Sequence, residues 1–197
     1  MKSGVRALGV AESYTDERST MAGAVVRADR VVDGFTFGTC TVGGTDATET
    51  LTELFERLDR PDVRYVMVAG IAPAWFNVID LTQVHDAVDR PVLSVSFERS
   101  EGLADDIRTA FEGDERRRRL ATYAAQPARR ELAVGSETVY VRDLGLGDDE
   151  AAEVVRRFTP EGGRPEPVRV ARLAARAADE RRHVWTPGSG SEADPSE

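Results

Sequence analysis

The chain has few of the residues that form covalent or zinc-bound cross-links. It contains 197 residues with one cysteine, Cys40, and two histidines. A single cysteine excludes an internal disulfide and a cysteine-based zinc site. Cys40 lies in a strand-like segment, so we interpret it as a small buried apolar residue. His85 and His183 form no zinc or acid-base constellation, and we expect both to be structural or solvated.

Long apolar runs are also absent from the sequence. No segment approaches the roughly 18 to 20 apolar residues that a membrane span needs, and the N-terminus has no leader-like apolar run. We therefore expect a cytoplasmic protein with no membrane partner. The chain, with 41% hydrophobic residues, is long enough for one core, which predicts a single domain over residues 1–183. Residues 184–197 have almost no hydrophobic pattern, which predicts a disordered acidic tail.

Lysine is nearly missing, since Lys2 is the only one in the chain. The 35 acidic residues outnumber the 26 basic residues, for a net charge of −9. This balance is typical of proteins from a high-salt cytoplasm, so we hypothesise a halophilic source. An acidic surface there serves hydration and solubility, so the net charge weakens a nucleic-acid-binding hypothesis without excluding it.

The N-terminal part of the chain predicts three strands. Apolar runs at Val5–Val10 and Met21–Ala28 are followed by an alternating segment at Val31–Val42. The turn residues Asp29 and Arg30 favour antiparallel pairing of the second and third strands. Gly43 and Gly44 then break the pattern before a helix that begins near Asp46.

The rest of the sequence alternates between helices and strands. Tyr65–Ala69, Ile79–Val88 and Pro91–Val95 form a strand, helix, strand crossover, which predicts parallel pairing. Further helices are predicted at Leu103–Phe111, Glu115–Ala125, Asp149–Phe158 and Pro167–Arg181, and a further strand at Thr138–Arg142. The fold class is therefore α/β, with a mixed sheet whose antiparallel N-terminal strands are followed by parallel strands and with helices on both faces. This order is typical of ribonuclease H-like domains, among other mixed-sheet folds.

Four segments together resemble the archaeal endonuclease dU family, which is similar to endonuclease V in fold. They are Arg6–Val10, Thr45–Thr48, Ala69–Asp80 and Pro165–Ala174. The resemblance implies a ribonuclease H-like fold and a DNA-repair nuclease that cuts DNA carrying deaminated bases, uracil in particular. It also implies Mg²⁺ or Mn²⁺ ions, held by carboxylates at the ends of neighbouring strands.

The sequence departs from the family pattern where that pattern has acidic or polar residues. The implied ligands are replaced by Ala11, Gly43 and Ala69. Two further positions differ, because Trp75 stands where the family has glycine and Arg172 where it has histidine. These departures predict a degenerate active site with a changed lining.

Three carboxylates remain as candidate catalytic residues: Glu12, Asp46 and Asp80, the first two also as metal ligands if the protein is active. Each has a structural alternative. Glu12 should face the side opposite Ala11 and be solvated. Asp46 and Glu49 have the spacing of a helix cap, and Asp80 precedes a helix that it could cap or join through a buried hydrogen bond.

The candidate nucleic-acid-binding residues are Asn77, Arg169, Arg172 and Arg176. The three arginines recur at helical spacing, which suits either a phosphate-binding stripe or pairing with surface acids. Asn77 either caps a helix or binds a ligand through its amide. The run Arg116–Arg119 is interpreted as a solvated helix face in preference to a phosphate site.

Two classes of function follow. The first is a metal-dependent endonuclease acting on uracil-containing or otherwise deaminated DNA. The second is a pseudo-enzyme, a non-catalytic nucleic-acid-binding or protein-interaction domain on the same fold. The missing carboxylates slightly favour the second.

Overall fold

The computed structural model describes residues 4–184 of the chain. A seven-stranded sheet has the order β3-β2-β1-β4-β5-β7-β6. The strands are β1 Arg6–Tyr14, β2 Arg18–Arg27, β3 Val32–Thr41, β4 Val63–Ala69, β5 Val92–Ser96, β6 Arg130–Val134 and β7 Glu137–Leu144. The helices are α1 Ala47–Leu58, α2 Pro73–Phe76, α3 Leu81–Val88, α4 Ala104–Ala110, α5 Gly113–Ala124, α6 Asp148–Arg157 and α7 Glu166–Val184. The predicted tail lies outside the described residues, apart from Val184, which ends α7.

The first three strands form the predicted antiparallel meander. β1 pairs with β2 and β2 pairs with β3, both antiparallel. β1 extends beyond its predicted end, because Glu12 pairs with Met21 and Tyr14 with Ser19 in the ladder to β2. Backbone pairing, which apolar patterning does not report, keeps these polar residues in the strand.

The central strands confirm the predicted parallel crossover. β4 pairs parallel with β1 on one side and with β5 on the other. The remaining two strands form an antiparallel hairpin, with β7 next to β5. β6 was not predicted, since its apolar residues Leu132 and Val134 make too short a pattern for a strand outside the context of β7.

Helices cover both faces of the sheet, as predicted. On one face, Leu51 of α1 and Leu81 of α3 pack in the same core cluster as Leu8 and Val10. On the other face, α6 and α7 cover the side that carries Ala7 and Met67. α7 lies very close to β1, because a Cβ atom at Gly9 would be 2.0 Å from the carbonyl carbon of Pro167.

The helices are not membrane spans: within residues 4–184, none is long and apolar enough to cross a bilayer.

Candidate functional site

Alanine methyl groups occupy the carboxyl ends of the two central parallel strands. Val10 of β1 pairs with Val68 of β4, so the next residues, Ala11 and Ala69, are neighbours. Ala11 is 4% exposed and shares a small apolar cluster with Ala171 of α7, against which Ala69 also packs. Methyl groups bind no cation, so this strand edge offers no oxygen ligand from these positions.

The three candidate carboxylates are each engaged in structural contacts, including Glu12, which follows Ala11 in β1. Glu12 accepts a hydrogen bond from the Ser19 hydroxyl at 2.7 Å. Asp80 caps α3, where its Oδ1 accepts from the backbone nitrogens of Thr82 at 3.0 Å and Gln83 at 3.1 Å. The capping alternative for Asp80 therefore has direct geometric support.

Asp46 stands at the N-cap position of α1, but its side chain does not cap that helix. It accepts hydrogen bonds from Thr41 N at 3.1 Å, the Thr41 hydroxyl at 2.9 Å and Asn77 Nδ2 at 2.6 Å. Burial alone would raise the pKa of this carboxyl, but the bonds from Asn77 and Thr41 outweigh it and lower the pKa below its ordinary value. The sequence-based interpretation of Asp46 as a self-contained helix cap is wrong, because Thr41 and Asn77 compete for its oxygens.

Asn77 supplies the missing cap from a distant part of the chain. Its Oδ1 accepts from Ala47 N at 3.0 Å, and its Nδ2 donates to Thr41 O at 2.9 Å as well as to Asp46. The side chain is completely buried. Asn77 therefore caps α1, not the helix that follows it, and its amide is already engaged within the protein.

The described residues do not fit the divalent cations that the resemblance implies. Within residues 4–184, no three or more His, Cys, Asp or Glu side chains come together as a possible metal site. Mg²⁺ at a phosphate substrate is held by one or two carboxylates together with waters and phosphate oxygens, and Ala11 and Ala69 supply no carboxylate at the strand edge. Gly43 is the remaining position where the family pattern implies a ligand. The carbonyl oxygens of Gly43 and Gly44 accept hydrogen bonds from the guanidinium group of Arg119.

Beside the alanines, a cavity of ≈ 340 Å³ opens at the carboxyl ends of β4 and β5. Four arginines line it, against one carboxylate, that of Glu98. Three of the arginines lie over aromatic rings: Arg129 over Tyr140 at 4.0 Å, Arg142 over Tyr123 at 5.6 Å and Arg164 over Phe97 at 4.4 Å. The fourth is Arg172. The lining thus combines positive charge with aromatic surface.

The four arginines of this cavity differ in whether their guanidinium groups form hydrogen bonds within the protein. Arg129 donates to Ser100 O at 3.0 Å and Ser96 Oγ at 3.1 Å, and Arg142 donates to Pro127 O. In the part of the chain that the structure describes, Arg164 and Arg172 make no hydrogen bond or ion pair. Burial, and then the positive charge of Arg172, lower the pKa of Arg164 below its ordinary value. Because arginine side chains in proteins are cationic, this wall of the cavity carries positive charge.

Sequence reasoning found only part of this arginine set. Arg172 lines the cavity, whereas Arg169 pairs with Glu166 at 2.6 and 2.7 Å and Arg176 is exposed outside the lining. Arg129 and Arg142 were missed. The two-residue period of β7, which places Tyr140 and Arg142 on one face of the strand, is the signal that could have identified Arg142.

A left-handed turn borders the same region. Ala74, Trp75 and Phe76 of α2 have φ angles of 46°, 55° and 61°. Such angles cost roughly 1 to 2 kcal/mol for each residue other than glycine. Trp75 is 49% exposed, and its ring centroid lies 5.1 Å from that of Phe111.

Arg119, which lies on α5, stabilises this left-handed turn. Its guanidinium donates to Phe76 O at 3.2 Å, to Gly44 O at 3.1 Å and to Gly43 O, and it lies 3.8 Å from the Phe111 ring centroid. The side chain is only 3% exposed, and this burial lowers its pKa. The interpretation of the Arg116–Arg119 run as a solvated face is therefore wrong for Arg119, although the first three arginines are exposed.

Comparison with known proteins places these observations in a family. A family profile described as endonuclease dU matches residues 3–179. A UPF0215 protein of Pyrobaculum calidifontis is 33% identical over 171 residues, covering 85% of this chain and 93% of that protein.

Two solved structures are similar to this one. The structure of an Archaeoglobus fulgidus protein of unknown function has a TM-score of 0.79 at 25% identity, covering 88% of this chain and 97% of that one. Endonuclease V of Ciona intestinalis, in complex with a DNA containing an inosine, has a TM-score of 0.61 at 12% identity, covering 90% and 86% of the two chains. The predicted ribonuclease H-like fold is thereby confirmed.

Proposed function

Because this chain belongs to the endonuclease dU family, we propose that it binds DNA strands carrying deaminated bases without cutting them. The proposal retains the nucleic-acid partner that the family implies but not the metal-dependent cleavage of that partner. The proposal places the protein in DNA repair in an archaeal cytoplasm. The scarcity of lysine indicates that this cytoplasm has a high salt concentration.

One observation carries this proposal, namely the reversed charge of the site. Where the family pattern implies carboxylates and cations, this chain has alanine methyl groups next to Arg164 and Arg172, which form no ion pair within residues 4–184. A guanidinium without a carboxylate partner is suited to a phosphate, which it binds through paired N–H donors. A bound divalent cation would be repelled by the same groups.

The aromatic members of the cavity support a nucleic acid over a free inorganic anion. Phe97, Tyr123 and Tyr140 line the cavity beneath the guanidinium groups of Arg164, Arg142 and Arg129. Nucleic-acid bases stack on guanidinium planes as well as on aromatic rings. The DNA complex of the Ciona endonuclease V has the same fold. We assign Arg164 and Arg172 to phosphate binding, with Arg129 and Arg142 holding the aromatic walls.

The alternative of an active endonuclease through Glu12, Asp46 and Asp80 stays a prediction. Its weakness is that each of these carboxylates already holds a structural contact.

Binding is tested by the fluorescence anisotropy of a labelled, uracil-containing oligonucleotide at several salt concentrations. We expect affinity to fall with salt, and Arg172→Ala to weaken binding and to reduce the slope of log K against log salt by about one. Arg57→Ala is the matched control, because this substitution removes the same charge at a distant site. Arg57 is 54% exposed on α1, which covers the opposite face of the sheet. Equal binding by the two variants, or no binding by the unaltered protein, contradicts the proposal.

A further inference from the structure

Trp75 is a large aromatic ring held in an unusual position beside the arginine-lined cavity. Nearly half of its surface is exposed. The left-handed backbone that presents it is one that glycine, and not tryptophan, adopts readily. Tryptophan at such a position needs compensation from the surrounding structure.

The turn that carries Trp75 is fixed from several directions. Gly43 N donates to Ala74 O at 2.7 Å, and Asn77 N donates to Pro73 O at 3.0 Å. Arg119 binds Phe76 O from the other side. The ring is therefore preorganised, and little conformational entropy is lost when a ligand contacts it.

The ring does not line the cavity, but packed side chains join the two. Ala72, one residue before α2, lines the cavity. Leu103 and Tyr123 line it too, and both pack against the cluster that contains Phe111, the ring that Trp75 contacts. Phe111, Leu103 and Tyr123 thus connect the Trp75 ring to the cavity wall through packed side chains.

The surroundings of Trp75 do not form an apolar patch. Among the described residues, the other exposed large apolar side chains lie on β1, β3, the connection before β3, and α7. Protein interfaces that are stable need hundreds of Å² on each partner. One isolated ring is instead matched in size to one base, which stacks on an aromatic side chain irrespective of its identity.

We propose that Trp75 is a stacking platform for an unpaired base of the bound strand. The ligand is then single-stranded nucleic acid, or a duplex with an unpaired nucleotide, and fully paired duplex binds more weakly. This inference rests on the proposed function and adds the class of substrate to it.

The test uses the full chain with Trp185→Phe, which leaves Trp75 as the only tryptophan. A mixed-sequence single strand is titrated into this variant while tryptophan fluorescence is recorded, and the anisotropy of the same strand, fluorescein-labelled, is followed in parallel. We expect quenching that saturates with the same midpoint as the anisotropy change. We also expect the matching duplex to give less of both signals.

Two further variants separate stacking from folding. Trp75→Gly suits the left-handed backbone, so it should fold, and should bind the single strand about tenfold more weakly. Trp75→Phe keeps a ring and should recover part of that affinity.

The outcomes distinguish the two proposals. Binding without quenching, with full affinity in Trp75→Gly, overturns the platform and leaves the proposed function standing. Absence of binding in both readouts overturns both. A fluorescence change on raising protein concentration alone shows that a second copy covers the ring, which also overturns the platform.

Discussion

At the scale of single residues, arginine plays two opposite parts in this molecule. Arg119 is buried, and backbone carbonyl oxygens accept hydrogen bonds from its N–H groups. Arg172 is exposed at the cavity, and no carbonyl oxygen among the described residues accepts a hydrogen bond from it. Position in the fold, and not the residue type, decides whether a guanidinium is bound by the protein's own carbonyl oxygens or is accessible to a ligand.

Replacing Arg119 by methionine should destabilise the protein by about 2 to 4 kcal/mol. The change keeps much of the side-chain volume but leaves the carbonyls of Gly43, Gly44 and Phe76 without their donor. Urea unfolding measures the free energy of unfolding. Arg117→Met is the control, since Arg117 is 76% exposed, and equal stabilities for the two variants contradict the structural role of Arg119.

At the scale of elements, the contact between β1 and α7 depends on the absence of a side chain. A Cβ at Gly9 would lie within 2.6 Å of three backbone atoms of Pro167 and Val168. Backbone cannot move aside as a side-chain tip can, so α7 would have to shift.

Gly9→Ala is therefore expected to cost about 3 kcal/mol of stability. Gly34→Ala, in β3, is the matched control, because nothing lies within 4 Å of a Cβ there. Thermal unfolding of both variants gives the comparison. Similar melting temperatures would contradict the close packing of α7 on β1.

The last turn of α7 is stabilised by a contact whose strength depends on pH. His183 Nε2 lies 2.9 Å from Asp16 Oδ2, and His183 Nδ1 lies 2.8 Å from Asp179 O. The bond to Asp179 O, and then the Asp16 carboxylate, raise the pKa of His183. The bond from the Arg18 backbone, with Arg182 and His183, lowers the pKa of Asp16.

The sign of each shift fixes the pH window of this contact. A raised histidine pKa contributes stability that is present below its unfolded pKa and lost as pH rises through the folded pKa. A lowered aspartate pKa contributes stability that is lost as pH falls through its folded pKa. We therefore expect hydrogen-exchange protection in the last turn of α7, taken relative to the intrinsic exchange rate at each pH, to be greatest in an acidic window and to fall on both sides of it. His183→Gln should abolish the fall on the alkaline side, the alkaline limb. His85→Gln is the control, and an unchanged alkaline limb in His183→Gln would contradict the assignment.

Elements with local apolar periodicity could be predicted from the sequence, and those that depend on distant partners could not. The meander, the α3 crossover and α7 follow from patterns within each segment. The left-handed turn at Trp75 could not be anticipated, because Arg119, which holds it, is 43 residues from Phe76. The cap of α1 by Asn77, 30 residues from Ala47, is another contact that no local pattern reports.

At the scale of the whole molecule, net charge and local charge have opposite signs. The chain carries −9 overall, yet four arginines face one carboxylate at the cavity. A local field of this kind attracts a polyanion even when the remaining surface repels it. The resemblance to the family predicted the fold and the missing ligands from the sequence. The positive charge of the cavity could not be predicted in full, because its four arginines come from the segment after α5, from β7, from the segment before α7 and from α7 itself.

The central claim is that the site binds an anionic strand and holds no catalytic cation. The most direct measurement mixes excess protein with a labelled uracil-containing oligonucleotide in Mn²⁺, in Mg²⁺ and in EDTA, and examines both binding and strand integrity. We expect the strand to be recovered uncut in all three conditions and to be bound no more tightly in Mn²⁺ or Mg²⁺ than in EDTA, since divalent cations compete for its phosphates. Metal-dependent cleavage that disappears in Glu12→Gln, Asp46→Asn or Asp80→Asn would contradict it.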